Sequence, residues 1–392
     1  MAVNLTSADS ALKSVYLDVV SEQLNYNVSP FFAAIKHSTN DVWGKEVRKL
    51  AQHGLSGGIG AGTEDGDLPS ASANRYDQFV STLKNLYGVI EISDKAIRAS
   101  EHNSGAFVNL LNAEMDGLIK SSAFNFGRML FGDGSGKLAT VSDIMENYVY
   151  VDNATNFIEG MVIDFRNPDG TLIESAKGRQ VVGVSVRDKY IIVSGESIPT
   201  LVAPEGTCIY LQNSYNNEIT GLKAIFDEDA EMLYGQNKFE NPWMQPYVES
   251  NVGDITELAI QTAIDTIEET SSGKVNFIMC SMGVRRALQV LLSQNRRSLD
   301  TMELAGGFKA MSYNGIPIVA DRFCPQGSMY LLNTDDFELH QLCDWQWLAG
   351  DDGRVLKQIP GKPVYTATLV KYAELMCARP NGQGLLQGIT EA

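Results

Sequence analysis

Lys45-Glu46-Val47-Arg48-Lys49-Leu50, then GLSGGIGAGTEDG from Gly54 to Gly66, then Gln78-Phe79-Val80-Ser81-Thr82-Leu83 and Tyr87-Gly88-Val89-Ile90-Glu91-Ile92 form the stretch on which the reading turns. The flanks alternate apolar and polar residues with the period of two that a half-buried strand requires. The middle holds six glycines and almost nothing that packs. This pattern spells a long two-stranded arm with a flexible tip. A lone two-stranded ribbon is marginal in water, so the arm is expected to gain stability against a neighbouring subunit. That expectation is the first pointer to a protein of assemblies.

Upstream, Leu12, Val15, Val19 and Leu24 recur at roughly helical spacing, and Ser29-Pro30 then introduces Phe31-Phe32, a pair expected to dock elsewhere. Downstream, Phe107, Leu111, Met115, Leu118, Phe126 and Met129 trace one face of a helix from Ser104 to Phe131, with Ser122 filling a turn. Such a helix is about seven turns and roughly 40 Å long. Gly132-Asp133-Gly134-Ser135-Gly136 stops it. Between Ala139 and Thr220 the grammar becomes that of strands: Tyr148–Val151, Met161–Phe165, Val181–Val186, Tyr190–Val193 and Cys208–Leu211, separated by turns such as Asn167-Pro168-Asp169-Gly170. These predict an inserted small β-barrel or sandwich of about 80 residues.

After Gly221 the pattern is mixed α/β. Asp254-Ile255-Thr256-Glu257 resembles a capping box opening a helix with Ile260, Ile264 and Ile267 on its buried stripe. A strand follows at Val275 to Cys280, and Ser281 caps a helix carrying Val284, Leu288 and Leu291. Strands return at Gly315 to Ala320, Ser328 to Leu332, Phe337 to Leu348 and Val364 to Cys377. The glycine-rich tail from Pro380 to Ala392 reads as frayed.

The chain has 392 residues, with 48 acidic and 31 basic side chains and a formal net charge of −17. Such a balance argues against gripping phosphate backbones, which rests on clustered Lys and Arg. The five cysteines, Cys208, Cys280, Cys324, Cys343 and Cys377, are odd in number, widely spaced and mostly within apolar segments, and read as reduced core thiols. No charged segment followed by an apolar one opens the sequence, and no run of 18 apolar residues occurs, so neither a secretion signal nor a membrane span is expected.

Catalytic patterns are weak. His37, His53, His102 and His340 sit in four contexts without metal-ligand spacing, and no HExxH or CxxC occurs, so neither a metal nor a cofactor is expected. Gly132 to Lys137 fails as a phosphate loop: Phe131 stands where the first Gly belongs, Leu138 follows the Lys, and the segment ends a helix instead of opening one. Asp351-Asp352-Gly353 reads as a turn before it reads as a cation site.

Charge segregation is the stronger signal. From Asp227 to Thr270 there are eleven acids against one base, Lys238. Lys274, Arg285, Arg286, Arg296, Arg297 and Lys309 then oppose only Asp300 and Glu303. Each charge alone is an ordinary solvated group, but two complementary flanks on one unit suit a head-to-tail ring, whose heterologous contact needs two different surfaces. The candidate contact residues are Asp254, Glu257, Asp265, Glu268 and Glu269 on one flank and Arg285, Arg286, Arg296 and Arg297 on the other.

The order of parts, together with Asn217-Glu218-Ile219 before Gly221-Leu222, Asn241-Pro242-Trp243, Leu304-Ala305-Gly306-Gly307-Phe308, Tyr313 to Asp321 (YNGIPIVAD) and Pro325 to Asn333 (PQGSMYLLN), resembles the major capsid proteins of tailed bacteriophages, the Hong Kong ninety-seven type. The resemblance implies an α+β fold. Its parts would be an N-terminal arm (1–43), an extended E-loop (44–95), a P-domain with a long spine helix (96–138), a β-rich insertion (139–222), an A-domain (223–335), P-domain return strands (336–380) and a tail (381–392). The E-loop tip would comprise Gly57, Gly58, Gly60, Gly62, Glu64 and Asp65.

It further implies a structural, non-enzymatic protein assembling into pentamers and hexamers of an icosahedral head around double-stranded DNA, without sequence-specific binding. Assembly would take place in the host cytoplasm and the product would be the virion. Implied partners are a portal and possible decoration protein and, because the arm starts almost at once, a separate scaffolding protein. Lys45, Lys49 and Lys84 lie outside the glycine-rich tip, so crosslinking of the loop is not expected. An encapsulin-like compartment is the alternative within this fold, disfavoured by the insertion. A soluble enzyme or carbohydrate-binding protein is the alternative outside it; Tyr148, Tyr150 and Tyr190 are available there, yet alternation alone makes them ordinary strand faces.

Overall fold

The computed structural model describes residues 29–39, 42–95, 104–294, 301–303, 309–350, 353 and 355–392. The amphipathic stretch at 10–28, Arg296, Arg297, residues 304–308 and the Asp351-Asp352 turn lie outside the described residues.

The Phe pair docks as its sequence predicts. Ser29 caps the one-turn helix Pro30–Ala34, its Oγ accepting from Phe31 N at 3.2 Å, and proline at the first turn forfeits no hydrogen bond there. Both rings are buried edge-on, Phe31 against Phe337 (5.2 Å) and Phe32 against Phe126 (5.4 Å). Lys36–Ser38 then runs parallel to the start of Phe337–Trp347.

The ribbon consists of Glu46–Gly54 antiparallel to Arg75–Thr82, with the short strand Val42–Trp43 beside it. Lys84–Ser93 does not belong to the ribbon: all ten of its residues pair with Val364–Cys377. That long strand therefore lies between Lys84–Ser93 on one side and Phe337–Trp347 on the other. The spine helix Ser104–Met129 packs on Lys84–Ser93. Its 26 residues give a length of about 39 Å. Met115, Ile119, Ser122, Phe126 and Met129 are buried at steps of three and four, the period of one helical face.

Six strands, Lys137–Met145, Tyr148–Val151, Val162–Arg166, Arg179–Ser185, Tyr190–Val193 and Cys208–Leu211, close into a barrel. The choice between barrel and sandwich is thus settled by Lys137–Met145, a strand whose beginning sequence periodicity does not mark; it joins Tyr148–Val151 to Cys208–Leu211. Closure leaves no free sheet edge, and the barrel fills with its own core, including Val149, Ile163, Phe165, Ile191 and Ile209. The chain returns at Gly221, where a Cβ would lie 2.4 Å from Met129 O, so only glycine fits against the end of the spine helix.

The remaining α/β unit is a seven-stranded sheet in the order Tyr247–Glu249, Gly384–Leu386, Met329–Leu332, Phe277–Cys280, Ile316–Ala320, Lys309–Tyr313, Thr301–Glu303. Phe277, Met279, Tyr330 and Leu332 face the central core. Ile278, Cys280, Met329 and Leu331 face a second core, covered by helices Glu257–Ser271 and Met282–Gln294. Two expectations change here. Thr256, not Asp254, caps the first helix, accepting from Ala259 N at 3.1 Å. The tail is not frayed: Gly384–Leu386 is a fully buried strand between two others, and Ile389 is buried beyond it.

Candidate functional site

The tip of the ribbon stands clear of its own chain. Every residue from 55 to 74 is exposed, including Gly57, Gly58, Gly60, Gly62, Glu64 and Asp65. Three large apolar side chains are bared there, Leu55 at 82%, Ile59 at 88% and Leu68 at 90% exposed. Exposed apolar groups of this size are surface that a partner could cover. The root, by contrast, is clamped by this chain: Trp243 stacks on His53 (4.8 Å) and Phe79 (5.6 Å), and Val80 N donates to Tyr234 O at 3.0 Å. The Asn241-Pro242-Trp243 step thus positions the root of the arm, whereas the tip is exposed along its length.

The charged flanks lie on two halves of one surface. Both helices cover the same face of the seven-stranded sheet, the acidic one over Tyr247–Glu249 and Gly384–Leu386, the basic one over Ile316–Ala320 on the far side of Phe277–Cys280. Asp254, Asp265, Glu268, Glu269 and Arg286 are exposed, and Glu257 and Arg285 are half-buried. Lys238, the single base among the eleven acids, is buried and donates its ammonium protons to Ile225 O (3.0 Å) and Asp227 O, so it does not offset the acids at the surface. Sequence reasoning passed over two apolar neighbours of these charges, Leu258 (75% exposed) and Val290 (48%). The signal was present, since Leu258 falls off the Ile260-Ile264-Ile267 stripe and cannot be core.

Several ionic groups that sequence did not single out hold the frame beneath these surfaces. Arg128 and Glu218 form a buried two-pronged pair at 2.9 and 2.6 Å, tying the end of the spine helix to the chain leaving the barrel. Lys371 is fully buried; it donates to Gln341 Oε1 (2.8 Å) and Asp344 Oδ1 (2.6 Å), with the Phe126 ring centroid at 5.1 Å. Burial lowers its pKa, against the opposing pull of Asp344. Burial likewise pushes the Glu374 carboxyl up to about 7. Its Oε1 accepts from Thr220 N at 2.8 Å, whereas Oε2 is buried with no hydrogen-bond partner among the described residues. The clue to both was a charge inside the otherwise apolar run from Ala367 to Cys377.

A cleft of about 420 Å³ separates the barrel from the spine helix, with Met161, Val162 and Leu211 on one wall and Leu118, Phe126 and Trp345 on the other. Among the described residues no three His, Cys, Asp or Glu converge as metal ligands, and no helix is long and apolar enough to cross a membrane.

No family model matches the chain, and no curated protein does. Solved structures do. The chain is similar to one from the cyanophage A-1(L) capsid asymmetric unit, at 12% identity and a TM-score of 0.57, covering 95% of this chain and 93% of that one. Likeness also extends to the capsid of a native GTA particle (9% identity, TM-score 0.49, 91% and 89% covered). An encapsulin complex of Synechococcus elongatus matches at 10% identity and a TM-score of 0.46, with 95% of each chain covered. By its likeness to the cyanophage chain over nearly its whole length, this chain has the phage major capsid fold.

Proposed function

We propose that this chain is the shell subunit of a tailed-phage head, self-assembling into pentamers and hexamers of an icosahedral capsid around double-stranded DNA. The observation that carries the proposal is the projecting ribbon: a tip with three bared apolar side chains is built to be covered by another subunit, in a fold shared with a cyanophage capsid chain. In this reading the ribbon lies across a neighbour and the two charged flanks of the α/β unit meet head to tail around the ring axes. A scaffolding protein and a portal take part in assembly, a decoration protein is at most an accessory of the finished shell, and the particle is a virion component formed in the host cytoplasm. The work is mechanical and interfacial, without turnover. The net charge of −17 accords with enclosing DNA without gripping it.

Sedimentation and electron microscopy of the purified protein, alone and co-expressed with the scaffold of its own genome, test this reading. Rings or shells are the expected result. A strictly monomeric species in every preparation, with the 54–66 tip folded back on its own chain, overturns it. Reversing Arg296 and Arg297 to Glu is expected to impair assembly more than folding.

A further inference from the structure

We infer that the outward face of the barrel, centred on Tyr148, Tyr150 and Tyr190, is a binding platform for a neutral glycan. Antiparallel pairing sets Tyr190 opposite Tyr150 and Ile192 opposite Tyr148, and it places Gly183 beside Ile192 on the next strand. Period-two alternation then turns all three tyrosines outward while Val149 and Ile191 fill the core. The rings hold one another in place, with Tyr190 5.5 Å from Tyr148 and 5.8 Å from Tyr150, both edge-on. What alternation in the sequence made look like unrelated strand residues is therefore one fixed aromatic cluster.

Its position and chemistry select the ligand. In the closed ring of strands, Tyr148–Val151 and Tyr190–Val193 stand across from Val162–Arg166 and Cys208–Leu211, whose ends line the cleft against the spine helix. The tyrosine face thus points away from the body of the protein. Tyr148 is 43% exposed, Tyr150 and Tyr190 are half-buried, and none of the three hydroxyls has a hydrogen-bond partner among the described residues. A face of fixed rings with unspent hydroxyls suits a ligand that is apolar on its C–H faces and polar at its rim, as a pyranose is. Charge completes the argument. Asp143, paired with Tyr150 across the strands, is exposed and offers an acceptor to sugar hydroxyls. The neighbouring Arg187-Asp188-Lys189 turn carries both signs, and the chain's net charge of −17 disfavours an anionic polymer.

Saturation-transfer NMR on the full chain tests the inference, with cellohexaose, chitohexaose, laminarihexaose and mannohexaose as probes. At least one is expected to receive saturation, chiefly at the protons of its apolar ring face. Tyr148→Ala is expected to reduce that transfer about five-fold, the loss of one packed aromatic contact, while Tyr148→Phe retains most of it. Asp143→Asn, which leaves the rings untouched, serves as the second variant and is expected to weaken transfer to the same probe. Absence of transfer to all four probes overturns the inference, as does transfer that Tyr148→Ala leaves unchanged. Loss of particle formation in Tyr148→Ala, with no transfer in the parent protein, would overturn it in favour of a contact between copies. The readout is independent of shell formation, so the glycan site and the shell reading fail separately.

Discussion

Two glycine-rich segments of this chain have opposite fates. The ribbon tip, Gly54 to Gly66, lies exposed throughout its length beyond Gly54 itself, whereas Gly384–Leu386 in the tail is buried between two strands of the seven-stranded sheet. The glycines do different work in the two places. At Gly384 a Cβ would sit 2.5 Å from Ile267 Cδ1, so its bareness lets a helix approach the strand. At Gly62 the nearest atom would be 3.8 Å away, and bareness there serves no packing. Glycine content therefore does not decide order; the apolar residues beside it, and the partners they find, do.

Truncating the tail's core strand should break this comparison most visibly. Leu386→Ala removes a fully buried side chain and is expected to cost about 2–5 kcal/mol, read as a lowered denaturant midpoint. An unchanged midpoint would mean the tail contributes no more than the tip does.

The next test concerns what burial costs a charged group. Glu374 is fully buried, and burial pushes its carboxyl up to about 7 from its ordinary 4.5. Between those values the folded chain keeps a proton that the unfolded chain has released, so this group's contribution to stability falls as pH rises through the window and is flat above it. The shift corresponds to roughly 3 kcal/mol of destabilisation at pH 8. Glu374→Gln, which keeps an acceptor for Thr220 N, is expected to remove that decline. Denaturation at pH 5 and pH 8 should show a smaller difference in the variant than in the parent, and equal differences would count against a strongly raised pKa.

Glu391 tests how far along the tail order extends. Although exposed, it accepts from Ser281 Oγ at 2.5 Å and from Gly327 N at 2.8 Å. Glu391→Ala should therefore destabilise by about 1 kcal/mol, less than the core truncation but measurable as a lower melting temperature.

The spine helix, the Phe31-Phe32 dock and the stripe Ile260-Ile264-Ile267 were legible because each is a local periodicity or a short motif. What was not legible depends on partners remote in sequence. Lys84–Ser93 reads as one side of the arm, yet its partner is Val364–Cys377, about 290 residues away by the register Lys84↔Ala373. Nothing between residues 84 and 93 could announce that. Leu385-Leu386 is likewise too short to signal a strand until Met329–Leu332 is placed beside it. Of the candidate contacts, the charged residues could be counted in sequence, but their placement over two halves of one sheet face required the strand order.

The smallest effect on folding belongs to the tip, and there the two measurements should part company. Replacing Leu55, Ile59 and Leu68 together by Ser removes three side chains that are at least 82% exposed, so the stability of the isolated chain should change by no more than about 0.5 kcal/mol. Particle formation, followed by sedimentation, should nevertheless be lost, because the variant deletes the apolar surface that a neighbouring subunit would cover. The outcome distinguishes two meanings of an exposed apolar residue. If assembly survives, the bared side chains are incidental and the ribbon is held by main-chain contacts or by Glu64 and Asp65. If assembly fails while the chain still unfolds at its usual midpoint, the tip's contribution lies between subunits, whereas Gly384–Leu386 is buried within its own chain.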